Sequence, residues 1–527
     1  MRKKNEWTLN SLVYGIWLLL VLGTAVYADF YNAALYRQTG MFWMVLAGIF
    51  VFTPMILKRV RVWQPRIHSF GSDLSPFTFR CVCFGCSMAV LGFCFLAVNP
   101  GGFDGDPGIQ LRQALNGEWN DYYPVLHTLL ILWLPLAITG GWFPAIILFQ
   151  ILLFSVVLTY VCETVRIYAD TFWAFVSLAM ILLNPITQSY LMYGYKDETF
   201  GICAMTLVCM NARILFSDGD WLKKKRNMVL FAMMVTMTAL IRHNGILFAV
   251  PCLAGAIMCT NWKRGLLIFG AALLMFAGIK GPLYSAIGVK KTEDRSSQTM
   301  GLPMAVIGGA VKYRPERLDN ELLDFAYSVA PKEVWEEKYN WGVYNWVDWD
   351  PRSNHQVLAD VGVGQVVKYM LRAFREAPKE CLKALIETTA ISYGITTDHL
   401  ADGAVYLSGA DLGVQDLSIP WMRDVMYGYR NLMYFVAPHS YLHSGITLLL
   451  LITVMLAKYP LKKKESWRRI LPVLGVFSYN LVTMFMLFSW WDGARFFHYS
   501  LWVLPVLMVM LTHQDKANHQ HMSSIPI

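Results

Sequence analysis

Apolar runs alternate with short polar turns along most of the chain, at 9–28, 41–57, 81–98, 142–163, 171–188, 199–216, 228–241, 245–260, 265–285, 440–457, 469–489 and 499–512. A helix that crosses the hydrocarbon core needs roughly 20 apolar residues, so each run predicts a crossing helix, the shorter ones with loosely defined ends. The first run is long for a cleaved leader and reads as an uncleaved anchor. One further run, 126–139, breaks the parity of the others and reads as a short or re-entrant helix beside the first long polar stretch, 99–141. A second polar stretch, 286–439, has amphipathic patterns around 317–329 and 364–390 and a turn at Asp348-Trp349-Asp350-Pro351, the marks of a small helical domain. The pattern predicts an all-α polytopic membrane protein of about 12–13 transmembrane or re-entrant helices with a small, mainly helical extracytoplasmic domain. Residues 1–285 form an N-terminal transmembrane module, 286–439 the outer domain, and 440–527 C-terminal helices with a short cytoplasmic tail.

Composition and charge sharpen this picture. Only 15% of the 527 residues are charged, where a soluble domain carries roughly 25%, so soluble and disordered classes are excluded. The net charge of +9 suggests nucleic acid until its distribution is considered. Arg2-Lys3-Lys4, Lys58-Arg59-Val60-Arg61, Lys223 to Arg226, Lys263-Arg264 and Lys462 to Lys464 with Arg468-Arg469 all flank apolar runs, which is the positive-inside pattern. Placing them in the cytoplasm puts 99–141 and 286–439 outside the cytoplasmic membrane. Nine of the ten Cys lie in or beside apolar runs, leaving Cys381 without a partner for a disulfide in the polar segment.

Four polar clusters fall at outer turns. Asp104-Gly105-Asp106-Pro107 places two carboxylates on a Gly/Pro turn, where they can bind a divalent cation such as Mg or Mn or serve a hydroxyl as general base. The plainer account makes Asp106 an N-cap with Pro107 in the first turn. Tyr123-Pro124-Val125-Leu126-His127 follows. Lys196-Asp197-Glu198 opens an apolar run, where charges are expensive unless paired or functional, a snorkelling Lys196 and a capping Asp197 being the structural alternative. Arg242-His243-Asn244-Gly245 and Arg495-Phe496-Phe497-His498 put guanidinium and imidazole groups on the side that the positive-inside bias depletes. Arg there suits a phosphate, with a salt bridge to an acidic cluster as the competing account. Cys81-Val82-Cys83-Phe84-Gly85-Cys86 lacks a nearby His, so packing outweighs zinc, and no phosphate-loop pattern occurs.

The order of these clusters resembles the C-type (GT-C) superfamily of membrane glycosyltransferases, which includes protein O-mannosyltransferases and lipid A aminoarabinose transferases. Asp104 and Asp106 match its acidic loop pair, 123–127 its His-Pro-Pro-Leu-His segment, Asp197 its second acid, 242–251 its Lys-Gly-hydrophobic-Pro turn, and 494–498 its Arg-Tyr-Phe-Tyr-Pro segment. Asp-Gly-Asp stands for adjacent acids, and Tyr123 for the first His. The chain also resembles uncharacterised bacterial multispanning proteins with a Gly-Leu-Pro-Met outer segment, here 301–304. The resemblance implies transfer of a sugar, with inversion, from a polyprenyl-phosphate donor to a cell-envelope glycan, lipid or protein acceptor outside the cytoplasmic membrane. It implies Asp104 or Asp106 as base, Asp197 as supporting acid, and Arg242, His243 and Arg495 on the phosphate, with Tyr123, His127, Lys196, Glu198 and His498 binding substrate and Asp104, Asp106 and Asp197 as candidate metal ligands. A polysaccharide polymerase or ligase would need outer Arg and His without the acidic pair. A lipid-linked-glycan transporter or flippase would show mid-membrane charges and an internal repeat, whereas the helix centres carry few charges and no convincing repeat occurs.

Overall fold

The computed structural model describes residues 7–32, 39–63, 65, 68, 70–71, 73–103, 105–291, 299–394, 412–436, 444–489 and 495–513. Asp104, Trp490 to Ala494 and the basic cluster Arg2-Lys3-Lys4 lie outside them. The chain is an all-α polytopic membrane protein. Its first helices are α1 (Thr8–Asn32), α2 (Thr39–Val62) and α3 (Pro76–Ala97). The first long polar stretch folds as α4 (Asp106–Asn116) and α5 (Val125–Thr139), the latter with a π-helical middle at Thr128–Trp133. Then come α6 (Pro144–Tyr168), α7 (Thr171–Leu182), α8 (Pro185–Tyr190), α9 (Lys196–Phe216), α10 (Lys225–Ile241), α11 (Ile246–Met258) and α12 (Trp262–Ala286). Five segments among the described residues are long and apolar enough to cross a membrane: α3, α6, α9, α12 and Arg495–Thr512.

The basic clusters that are described meet at one end of the bundle. Arg61 donates to the Ala457 carbonyl (3.1 Å), Lys458 to the Trp63 carbonyl (2.6 Å), and Arg468 pairs with Asp218 at 2.7 Å. The acidic and Arg-bearing turns lie at the other end. Helix α5 stays at that end too, since it packs at its start against α10 and Tyr284 and at its finish against the beginning of α6. It therefore joins helix ends of one face without crossing, and the parity of the flanking helices holds.

A second core, separate from that of the helical bundle, is built on α13 (Gly301–Tyr313), which is buried from Gly301 to Val311. A helix apolar on all sides must be surrounded. Around it stand α14 (Asn320–Val329), α15 (Lys332–Lys338), α16 (Asn345–Asp348), α17 (His355–Val361), α18 (Val363–Glu376) and α19 (Pro378–Tyr393). Trp335 and Tyr339 are fully inside, their polar tips bonded to the Ala326 and Ala305 carbonyls at 3.0 and 2.6 Å. Helix α20 (Pro420–Val436) lies apart from this core, against α3, with Trp421, Val425 and Leu432 exposed beside Arg423 and Arg430, as an interfacial helix would be. The C-terminal helices are α21 (Ser444–Lys458), α22 (Trp467–Met484) and α23 (Tyr499–Thr512).

The Gly-Leu-Pro-Met segment seats this second core on the chain that leads to Arg495. A Cβ on Gly301 would meet the Leu487 carbonyl oxygen at 2.7 Å and the Phe488 ring at 2.6 Å, while Tyr344 donates its N–H to the Phe488 carbonyl at 2.7 Å. Gly301→Val should therefore cost about 1–3 kcal/mol by overpacking. The measurement is a lowered unfolding midpoint in detergent, and an unchanged midpoint would dissolve this contact as a determinant.

Candidate functional site

Asp106 is the first residue of α4, and Gly105 at φ +61° occupies the N-cap, so the capping role expected of Asp106 is not what its carboxylate performs. It accepts from Lys196 Nζ at 2.5 Å and stands 3.6 Å from Arg495 Nη2. Asp197 likewise does not cap its helix. Tyr195 holds the N-cap of α9, and the Asp197 carboxylate contacts Arg242 Nη1 through one oxygen and Arg495 Nε at 3.3 Å through the other. Both acids sit in the first turn of a helix, whose positive end favours a carboxylate. The loop, α9, the α10–α11 turn and the start of the last crossing segment thus meet in one ionic cluster.

Gly201 makes that meeting possible. A Cβ there would come within 2.5 Å of the Trp502 ring and 3.2 Å of Tyr499, so only glycine lets α23 press onto α9 and bring 495–498 against 196–198. The cluster has an open and a deep side. Asp106, Arg495 and Lys196 side chains are 26%, 17% and 14% exposed, whereas those of Arg242 and Asp197 are 6% and 2% exposed. Small anions therefore meet Lys196 and Arg495 first. Burial opposes charge on Asp106, yet Lys196 and Arg495 outweigh it and hold the carboxyl well below the usual range. Burial, with the Asp106 charge beside it, pushes the Tyr123 phenol far upward, so Tyr123 remains a donor. Lys196 also lies 5.1 Å from the Tyr123 ring centre.

On the deep side, His498 and Glu198 approach to 3.8 Å, and His498 Nδ1 donates to the Arg495 carbonyl at 3.0 Å, which steadies the backbone carrying that guanidinium. Arg242 is fixed by Asn244 (2.9 Å), which bonds Thr483 in turn, and by the ring of Phe496 at 4.2 Å. His127 is buried beneath the loop and bonded to Gln110 at 3.1 Å, where it ties α5 to α4. His243 does not join the cluster. Its backbone neighbour Arg242 turns inward while its own ring reaches the Tyr122 carbonyl at 3.3 Å and lines a separate cleft.

Sequence reasoning gave no role to Gln110, which bonds Thr128 at 2.8 Å as well, nor to Tyr195 and Phe496, whose rings lie 4.7 and 4.6 Å from the Arg495 guanidinium. A polar residue one helical turn after Asp106 and aromatics adjacent to Lys196 and Arg495 were the available signals. As for a metal, no group of three or more His, Cys, Asp or Glu side chains gathers among the described residues. Asp106 and Asp197 turn their oxygens toward Lys196, Arg242 and Arg495, and Asp104, the third candidate ligand, lies outside the described residues.

No family model and no curated protein matches the chain. Among solved structures, ArnT from Cupriavidus metallidurans in the apo state is similar over 81% of this chain and 78% of that chain, with 14% sequence identity and a TM-score of 0.31. The functional reading is carried by the cluster itself.

Proposed function

We propose that this protein is a membrane glycosyltransferase that passes a sugar from a polyprenyl-phosphate donor to an acceptor hydroxyl at the outer face of the cytoplasmic membrane. The observation that carries the reading is the ionic cluster: among the described residues, the cations Lys196, Arg242 and Arg495 outnumber the carboxylates Asp106 and Asp197 that they touch, at the bundle end opposite the basic clusters. Surplus cation at the ends of membrane helices suits a lipid phosphate.

In the reaction, the acceptor oxygen bonds to the anomeric carbon as the bond from that carbon to the phosphate oxygen breaks. The polyprenyl phosphate departs with that electron pair, and the acceptor proton passes to Asp106. Lys196 and Arg495 stabilise the charge that grows on the departing phosphate. Asp106 clamped by Lys196 is a weak base. A donor phosphate competes for the same cations, which returns basicity to Asp106 only when the donor is in place.

Two measurements test this reading. Native mass spectrometry of the protein in nanodiscs should show retention of polyprenyl phosphate over the matching polyprenol, and Arg495→Ala should weaken that retention by roughly 10–100-fold through loss of a charge-assisted bond. Equal retention of both lipids would remove the phosphate from the proposal. For sidedness, Cys placed at Glu118 and Asn354 should react with impermeant reagents in intact cells and Cys at Lys224 should not. Labelling at Lys224 alone would invert the orientation.

A further inference from the structure

Behind the Arg242-His243 turn lies a second recess, separate from the ionic cluster. Its walls are Asp121, Leu240, His243, Phe276, Lys280 and Tyr284, and it holds about 50 Å³. Lys280 reaches Asp121 at 3.5 Å from a π-helical stretch of α12, Ile279–Leu283, a distortion that re-aims a side chain within a crossing helix. Tyr122-Tyr123 and Arg242-His243 form the partition from the ionic cluster: Tyr123 and Arg242 face the cluster, while His243 and Asp121 face the recess. Along α12 below it, Leu266, Leu267, Leu273 and Leu274 are 55% to 75% exposed, as a lipid-facing helix would be.

We infer that this recess receives the hydroxyl-bearing head of a glycolipid-like amphiphile, the acceptor of the proposed transfer, with its tail along α12. The wall chemistry selects this class. One carboxylate, one ammonium, an imidazole and a phenol offer acceptors and donors together, which matches hydroxyls, while Asp121 offsets the Lys280 charge that would draw a bare phosphate. A cavity of about 10–15 Å³ already holds one water, so the recess admits a hydroxymethyl arm, with the rest of a sugar ring at its mouth. The role as acceptor site rests on the transfer reading, but occupancy can be tested without it.

The probe is an alkyl β-glucoside carrying a diazirine near its head, photolysed with the full-length protein in phosphatidylcholine nanodiscs, and a diazirine phosphatidate is the comparison. Mass spectrometry should find glucoside adducts on 239–246 and 276–284, suppressed at least fivefold by excess octyl glucoside on the wild-type protein. Asp121→Asn and Lys280→Gln should each lower the labelling at least fivefold, and Arg495→Ala should leave it in place. Stronger labelling of these segments by phosphatidate, or no competition by octyl glucoside on the wild type, would overturn the inference. Labelling as expected with no sugar transfer would instead count against the transfer reading alone.

Discussion

Asp106→Asn should lower the transfer rate by about 10²–10⁴-fold, the usual contribution of a positioned general base, while it tightens donor binding. The second half of this expectation follows from the cluster. The amide has the shape of the carboxylate but removes a negative charge 2.5 Å from Lys196 and 3.6 Å from Arg495, and both cations become freer for phosphate. A unit charge about 8 Å from the phosphate at an effective dielectric near 20 is worth ~2 kcal/mol, and solvent on the open side halves it, which leaves roughly a fivefold gain in affinity. Weaker donor binding in a folded Asp106→Asn protein would contradict the arrangement. The pH dependence has a definite sign. Lys196 and Arg495 depress the Asp106 carboxyl in the resting protein, so its stabilising contribution is present above the unfolded value of about 3.9 and fades as pH falls through the folded one. Once phosphate shares those cations the carboxyl rises, so the acid limb of kcat should lie at higher pH than that of donor kcat/KM.

The crossing helices were legible because the apolar runs are long and their ends carry the charges. Helix α20 escaped notice since an interfacial helix interleaves Trp421, Val425 and Leu432 with Arg423 and Arg430 and resembles a soluble amphipathic helix. The cluster was legible as four separate turns, but its wiring was not. Asp106 and Asp197 sit beside strong helix-start signals, and capping is a local inference, whereas their partners Lys196, Arg242 and Arg495 lie far away in sequence and are brought in by contacts such as Gly201 against Trp502. Adjacent residues also diverge at a turn. Arg242 has extended backbone before the 3₁₀ turn His243–Gly245, so the Arg and His side chains leave on opposite sides of the chain. A motif that groups them by adjacency assigns both to one phosphate, and the backbone separates them.

That separation, with the depth of Arg242, changes what its substitution should do. Arg242→Met should cost about 3 kcal/mol of stability, near the lower end for breaking a buried ion pair, because Asp197 keeps Arg495 at 3.3 Å as a second partner. The loss should appear as a lowered unfolding midpoint and reduced monodisperse yield. Arg242→Met combined with Asp197→Leu removes both buried charges, and such apolar replacements of similar volume are often neutral, so the double variant should regain most of the lost midpoint. Arg495→Ala, on the open side, should spare the fold and weaken polyprenyl-phosphate binding instead. The double variant then separates two roles for Arg242. If it folds and holds polyprenyl phosphate within about fivefold of wild type, under ~1 kcal/mol, Arg242 acts only by neutralising the buried Asp197. If it folds and loses that binding as Arg495→Ala does, both guanidiniums reach the phosphate, and the exposed side of the cluster must extend inward past Asp197 when the donor is bound.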